Sequence, residues 1–174
     1  IRNMGRTTQV LVSRTATGLV TRFFENEVPE IKQGIVVIKA VSREAGQRSK
    51  IAIFSEDPQI DAVGACVGNK GMRVNAVIEQ LGGEKIDIIT WSENPLEYIS
   101  RALSPARVIK VIQTGDDSAI AIVPDDKLSL AIGRGGQNAR LAVKLTDWKI
   151  DVKSESAVGA DLGDVVSEET EIAE

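Results

Sequence analysis

The sequence predicts an α+β protein built from two copies of one small unit. Three observations carry that prediction. The segments "CVGNKGMRVNAVIEQL" (from Cys66) and "AIGRGGQNARLAVKL" (from Ala131) both open on an apolar-Gly-x-x-Gly pattern and continue as an apolar stripe at helical spacing. Each is followed by a short β-rich run beginning Lys-Ile-Asp, at Lys85 and at Lys149. Each is preceded by the same order of elements, an amphipathic helix, two strands and a short helix.

Residues 1–16, with "TTQVLVSRT", read as the last strand of something that precedes the first copy. The first unit opens on "TGLVTRFFENEVPEI", where Leu19, Val20, Phe23 and Phe24 share a helical face and Pro29 closes the helix. "GIVVIKAV" and "SKIAIF" are strands joined by a turn at Ala45-Gly46, and "DAVGACV" is a short helix running into Gly68. Val74, Val77, Ile78 and Leu81 then mark the long helix by an i, i+3, i+4, i+7 pattern. The second unit opens on "NPLEYISRALSP", with Leu96, Ile99 and Leu103 on one face and Pro105 closing it. "RVIKVI" and "SAIAIV" are its strands, turning near Gly115-Asp116. "DDKLSLAI" is the short helix into Gly133, with Asp125 or Asp126 as N-cap. Ala139, Ala142 and Val143 hold the stripe of the second long helix, widened by Leu141 and Leu145. The short link from Trp91 to Pro95 predicts close docking of the two units.

Composition narrows the chemistry. The 174 residues are 43% hydrophobic and 26% charged, as in globular domains. No apolar run approaches the roughly 20 residues that span a bilayer. One cysteine, Cys66, excludes an internal disulfide framework and suits a reducing compartment; it reads as a small buried side chain. The chain has no histidine, the commonest general base and metal ligand, so neither catalysis, a metal site nor a cofactor is expected. The net charge of −4 is unevenly spread. Seven acids and no Lys or Arg lie between Ser154 and Glu174, which leaves the rest of the chain about +3. That tail reads as disordered, either as a solubilising end or as a competitor for nucleic acid.

The glycine loops carry the functional reading. A glycine pair between two helices permits a tight turn and leaves no Cβ between backbone and ligand. The helix behind it presents N–H groups without intrahelical partners, which attract an anion, most often phosphate. Lys70 in one loop and Arg134 in the other add a full positive charge. A triphosphate loop fits poorly, because no Gly-Lys-Ser/Thr stands at the required spacing. A dinucleotide fold fits poorly too, because its glycines follow a strand rather than a helix. Trp91 and Trp148 read as packing residues, and the Arg43, Arg48 and Lys50 group as either an extension of a basic track or a solvated turn.

The α-β-β-α-GxxG-α-β unit resembles the KH domain of the bacterial (type II) topology. With "SREAGQRSKIAIFS", "VGACVG", "LGGEKIDII", "ALSPARV" and "LSLAIGRGGQNARLAVKLTDWKIDV", residues 7–153 resemble the RNA-binding core of the NusA family of bacterial transcription elongation and termination factors. The resemblance implies two tandem type II KH domains, 17–92 and 93–153, after a C-terminal OB-barrel remnant at 1–16 and before an acidic disordered tail at 154–174. It implies a cytoplasmic, monomeric, non-enzymatic protein that binds single-stranded RNA, the nascent transcript, during pausing, termination and antitermination. Contact with the RNA polymerase elongation complex would come mainly from regions outside this chain. Carried over by position, Gly68, Asn69, Lys70 and Gly71 form one backbone clamp and Gly133, Arg134, Gly135 and Gly136 the other. Arg73 and Arg140 are placed as phosphate neighbours. Gln137 and Asn138 are read as donors to phosphate or a base edge, or as ordinary N-terminal helix polarity. A ribosomal or GTPase-linked KH protein, a nucleotide-binding switch and a protein-interaction scaffold stand as alternatives.

Overall fold

The structure is a computed structural model that describes the strands at 2–4 and 7–9 and residues 12–159. The strand expected at the end of a preceding domain is β2 (Thr7–Gln9), which pairs antiparallel with β1 (Arg2–Met4). The acidic tail beyond Gly159 lies outside the described residues. Its expected start is not tail: the last strand runs to Ser154, and residues 155–159 form a helical turn.

The first unit comprises α1 (Thr17–Glu27), α2 (Pro29–Lys32), β3 (Val37–Glu44), β4 (Arg48–Phe54), α3 (Ala62–Val67), α4 (Met72–Gln80) and β5 (Lys85–Thr90). Pro29 does not merely end α1. It occupies N1 of α2, where its missing N–H costs nothing. The second unit comprises α5 (Pro95–Ala102), β6 (Lys110–Gly115), β7 (Ser118–Val123), α6 (Leu128–Ile132), α7 (Gln137–Thr146) and β8 (Lys149–Ser154). Asn94 caps α5, accepting from the Leu96 and Glu97 N–H groups with Pro95 at N1.

The two sheets have the same topology. In each, the middle strand pairs antiparallel with the strand before it and parallel with the strand after it. The parallel partners are aligned alike, Arg48 with Lys85 and Ser118 with Lys149. Ser49 to Ile53 of β4 are buried without a break, as in a strand covered on both faces. Ile51 and Ile53 face a core with Val20, Phe24, Val28, Cys66 and Val77, beneath α1, α3 and α4. Burial pushes the Cys66 thiol up to about 12, so it stays a neutral packing group.

The other face of the first sheet is covered by the second unit. Ala52 and Ile89 join Tyr98, Ala102, Leu103, Ala121, Ala142 and Leu145 in one core that crosses the boundary. The Ser42 hydroxyl donates to the Leu141 carbonyl (2.8 Å). This explains a difference from the predicted stripe on α7. Asn138, Leu141, Ala142 and Leu145 are buried while Ala139 and Val143 are only half-buried, because α7 packs against its own sheet and against β3 and β4 as well.

Charged side chains are buried in pairs. Glu84 accepts from Arg43 Nε and Nη2 (both 2.9 Å), the Ser49 hydroxyl (2.5 Å) and the Gly46 N–H (2.8 Å). Arg48 and Lys50 both pair with Asp87, and the buried Lys50 also donates to the Ser104 carbonyl (2.6 Å). Arg43, Arg48 and Lys50 are therefore neither a basic track nor a solvated turn; each is ion-paired with a carboxylate of the fold, Arg48 and Lys50 sharing Asp87. Burial alone would raise the Glu84 carboxyl, but the Arg43, Ser49 and Gly46 hydrogen bonds outweigh it and hold it below the usual range. A depressed folded pKa means stability present above the unfolded value of about 4.3 and lost as pH falls through the folded one. We expect the melting temperature to fall below about pH 4.5, and Glu84→Gln to be less stable at pH 7 with a flatter acid decline. Melting curves from pH 7 to pH 3 on both proteins check this; parallel acid declines would deny Glu84 a share in it.

Candidate nucleic-acid interface

The two glycine loops have one backbone conformation. Gly68, Lys70 and Gly71 have φ/ψ of 74/175°, 51/29° and 80/11°; Gly133, Gly135 and Gly136 have 78/168°, 60/25° and 75/13°. In both, the Gly at the fourth position donates back to the carbonyl of the first, Gly71 to Gly68 and Gly136 to Gly133 (both 3.1 Å). The first glycine is required for space as well as conformation. A Cβ on Gly68 would stand 2.7 Å from Arg73 Cγ, and one on Gly133 would stand 2.7 Å from the Asn138 backbone nitrogen. The residue five positions on thus closes against the bare Cα in both copies.

No side chain caps α4 or α7; a left-handed glycine, Gly71 or Gly136, stands at each N-cap. The first N–H of each helix turns back into the loop, Met72 donating to the Asn69 carbonyl and Gln137 to the Arg134 carbonyl, so the positive end of each helix stands directly behind its glycine loop. Asn69, Lys70, Arg134 and Gly135 are exposed. Among the described residues no side-chain hydrogen bond or ion pair engages Lys70 or Arg134. Arg43, Arg48, Lys50, Arg73 and Arg140, in contrast, are all paired with carboxylates.

The remaining sequence-predicted residues divide. Arg73 is turned into the fold, its Nη1 donating to the Ala65 carbonyl (2.6 Å) and to Glu30 (3.0 Å). Asn138 is buried, and its Nδ2 donates to the carbonyls of Ala131 (2.9 Å) and Leu103 (3.0 Å). Both tie the long helix to the short helix in front of the loop, through the Ala65 and Ala131 carbonyls, so a ligand-facing role for Asn138 would require the helices to part. Gln137 and Arg140 stay at the surface, but their partner is Glu44 of the first unit. Neither Asp125 nor Asp126, the two N-cap candidates, caps the short helix α6; the Asp125 carboxylate accepts from the N–H and hydroxyl of Ser156 (3.2 and 2.9 Å).

Sequence reasoning missed the apolar rim of the site. Met72 directly follows the first loop and is 69% exposed; Leu130 and Ile132 precede the second and are 45% and 37% exposed. The signal was present in "LSLAI", which has more large apolar residues than one face of a five-residue helix can bury. A cationic loop bordered by exposed apolar side chains offers two surfaces at once, one for phosphate and one for the faces of bases.

Two Gly-x-x-Gly loops, each set between a short and a long helix on a sheet of identical topology, define a tandem KH protein. Residues 14–91 match the NusA-like first KH domain and residues 95–159 the NusA-like second KH domain. Curated proteins described as transcription termination/antitermination protein NusA are similar along most of the chain. That of Halalkalibacterium halodurans is 58% identical over 149 residues, covering 85% of this chain and 39% of that protein. That of Bacillus subtilis is 58% identical over 149 residues, covering 85% and 40%. That of Thermus thermophilus is 48% identical over 158 residues, covering 90% and 40%. The crystal structure of APE1850 shares the fold, with a TM-score of 0.57 at 18% identity over 82% of this chain and all of the other. The chain belongs to the NusA family and spans about two fifths of the length of these curated relatives.

Proposed function

We propose that this chain is a single-stranded RNA-binding module that holds the nascent transcript during pausing, termination and antitermination. It acts without catalysis, as a monomer, within the RNA polymerase elongation complex. The observation that carries this reading is the pair of superimposable loops whose cations, Lys70 and Arg134, are exposed and unpartnered while the other arginines around the loops are neutralised within the fold. Gly68, Asn69, Lys70 and Gly71 hold one stretch of backbone, and Gly133, Arg134, Gly135 and Gly136 the next. One KH clamp accommodates about four nucleotides, so the pair suits a strand of about eight or slightly more. The named role of the curated relatives, termination and antitermination, supports the setting.

Fluorescence-anisotropy titration with labelled single-stranded and duplex RNA tests the reading. Single strands of eight or more nucleotides should bind best. With about four phosphates neutralised, log K should fall against log[salt] with a slope near −3, from about −0.7 per phosphate. A slope near zero would contradict a phosphate clamp.

A further inference from the structure

The second loop is looser by composition than the first. It has glycine at three of its four positions, and a Cβ on Gly135 would meet nothing within 4 Å. A glycine in open space has more conformations to lose on ordering than the Lys70 that holds the same place in the first loop. Something outside the loop has to restrain it. Arg140 Nη1 donates to the Gly135 carbonyl (3.0 Å), and Arg140 Nε is held by Glu44 Oε1 (2.6 Å). The other Glu44 oxygen accepts from Gln137 Nε2 (2.9 Å), which also donates to Gln47 Oε1 (2.9 Å). Glu44 and Gln47 belong to the β3–β4 hairpin of the first unit, more than 80 residues from the loop they support.

That hairpin is itself pinned. Side chains alternate along a strand, so Arg43 turns toward Glu84 while Glu44 turns toward the second unit. Glu84 also accepts from the Gly46 N–H at the hairpin tip, and the Lys85 N–H donates to the Gln47 carbonyl (3.1 Å). Among the described residues the first loop has no such brace: the positions matching Gln137 and Arg140 are Met72 and Asn75, both exposed.

We propose that Glu44 of the first KH unit is a positioning residue for the second clamp, acting through Arg140 on the Gly135 carbonyl. The second RNA-binding loop is then complete only when the first unit is docked against it. The inference rests on the RNA-clamp reading for its consequence, but the brace exists in the free protein. Arg140 uses two of its five N–H donors in the relay, so a held guanidinium keeps others for a phosphate. The side chain of Glu44 is largely covered and that of Arg140 is half exposed, which suits a fixed support behind a group that meets a ligand.

The test uses the whole chain in three backgrounds: wild type, a first-loop variant (Asn69→Asp with Lys70→Asp) and a second-loop variant (Arg134→Asp with Gly135→Asp). Glu44→Ala should weaken single-stranded RNA binding by about three- to tenfold in wild type and in the first-loop variant, where the second clamp reports. It should change nothing in the second-loop variant. Glu44→Gln keeps an oxygen for Arg140 and should restore most of the affinity. Equal losses from Glu44→Ala in both loop variants would overturn the proposal. So would tighter binding by both Glu44 variants, which would make Glu44 an electrostatic competitor. A measurement without RNA separates the inference from the reading beneath it. In the free protein Glu44→Ala should shift the Gly135 and Gly136 amide resonances and leave those of Gly68 and Gly71 in place. Unmoved Gly135 and Gly136 amides overturn the brace. Moved amides with RNA affinity indifferent to both loop variants would keep the brace and defeat the RNA clamp.

Discussion

Aspartate at Asn69, Lys70, Arg134 and Gly135 together is expected to remove nearly all RNA binding from a protein that still folds. The positions allow it. The first three are exposed side chains, and Gly135 has open space where a Cβ would stand. Its φ of 60° is tolerated by aspartate, since Asp147 stands at 60° in this chain and Lys70 at 51° in the sister loop. Gly68 and Gly133 would not serve, because a Cβ there strikes Arg73 or the Asn138 backbone. The functional loss is electrostatic. Each loop exchanges one cation for two carboxylates at the positive end of a helix, where the phosphate is expected to sit. A charge-assisted hydrogen bond contributes about 1.5–3 kcal/mol, so one altered loop should weaken binding by about ten- to a hundredfold. The second loop adds to this, because both clamps hold one strand and reinforce each other through effective concentration. Circular dichroism and melting curves establish the fold, and RNA titration reads the loss. A folded fourfold variant with wild-type affinity would end the assignment of these loops as the binding site.

The fold was legible because the repeat states it twice. Short runs such as "SKIAIF" or "LSLAI" are ambiguous alone, but matching order around two Gly-x-x-Gly loops resolved each copy by the other. The loops themselves were legible for a local reason: their φ/ψ values demand glycine wherever no L-residue fits. What stayed hidden was how charges pair across distance. Arg43 meets Glu84 41 residues away, Arg48 meets Asp87 39 residues away, and Glu44 meets Gln137 93 residues away. Sequence spacing within one element carries no information about such partners, so an ion-paired cluster at Arg43, Arg48 and Lys50 read as either a basic track or a solvated turn. Periodicity also says that a face is buried without saying by what. The α7 stripe, read as Ala139, Ala142 and Val143 widened by Leu141 and Leu145, is turned toward Leu141, Ala142 and Leu145 because the first unit's strands, one of which bonds the Leu141 carbonyl through Ser42, belong to another part of the chain. The inward turn of Arg73 and Asn138 was hidden for a related reason: both follow a first glycine by five residues, and their approach to its bare Cα is a contact across the loop that helical spacing does not encode.

Asp87→Ala is expected to be the most damaging single substitution at the junction of the two units, costing about 3–5 kcal/mol of stability. Asp87 accepts from Arg48 Nε and Nη2 (both 2.8 Å) and from Lys50 Nζ (2.9 Å). Its removal leaves the fully buried Lys50 ammonium with the Ser104 carbonyl and no counter-charge. Burial already pushes the Lys50 pKa down, and Asp87 is what offsets it. Lys50→Met removes the charge rather than its partner. Arg48 still satisfies Asp87, the apolar chain fills a similar volume, and the loss should be under half that of Asp87→Ala. The difference has a functional reading, because Ser104 belongs to the second unit and Lys50 to the first. An unpaired Lys50 favours separation of the units, which returns the ammonium to water. Asp87→Ala should therefore lower RNA affinity with every loop residue intact, since clamps that no longer share a fixed geometry lose effective concentration. Denaturant unfolding of both variants, with RNA titration at a temperature where each remains folded, measures the two effects. Equal and small losses in stability would show that the junction is held by its apolar contacts, with the buried ion pair incidental to it.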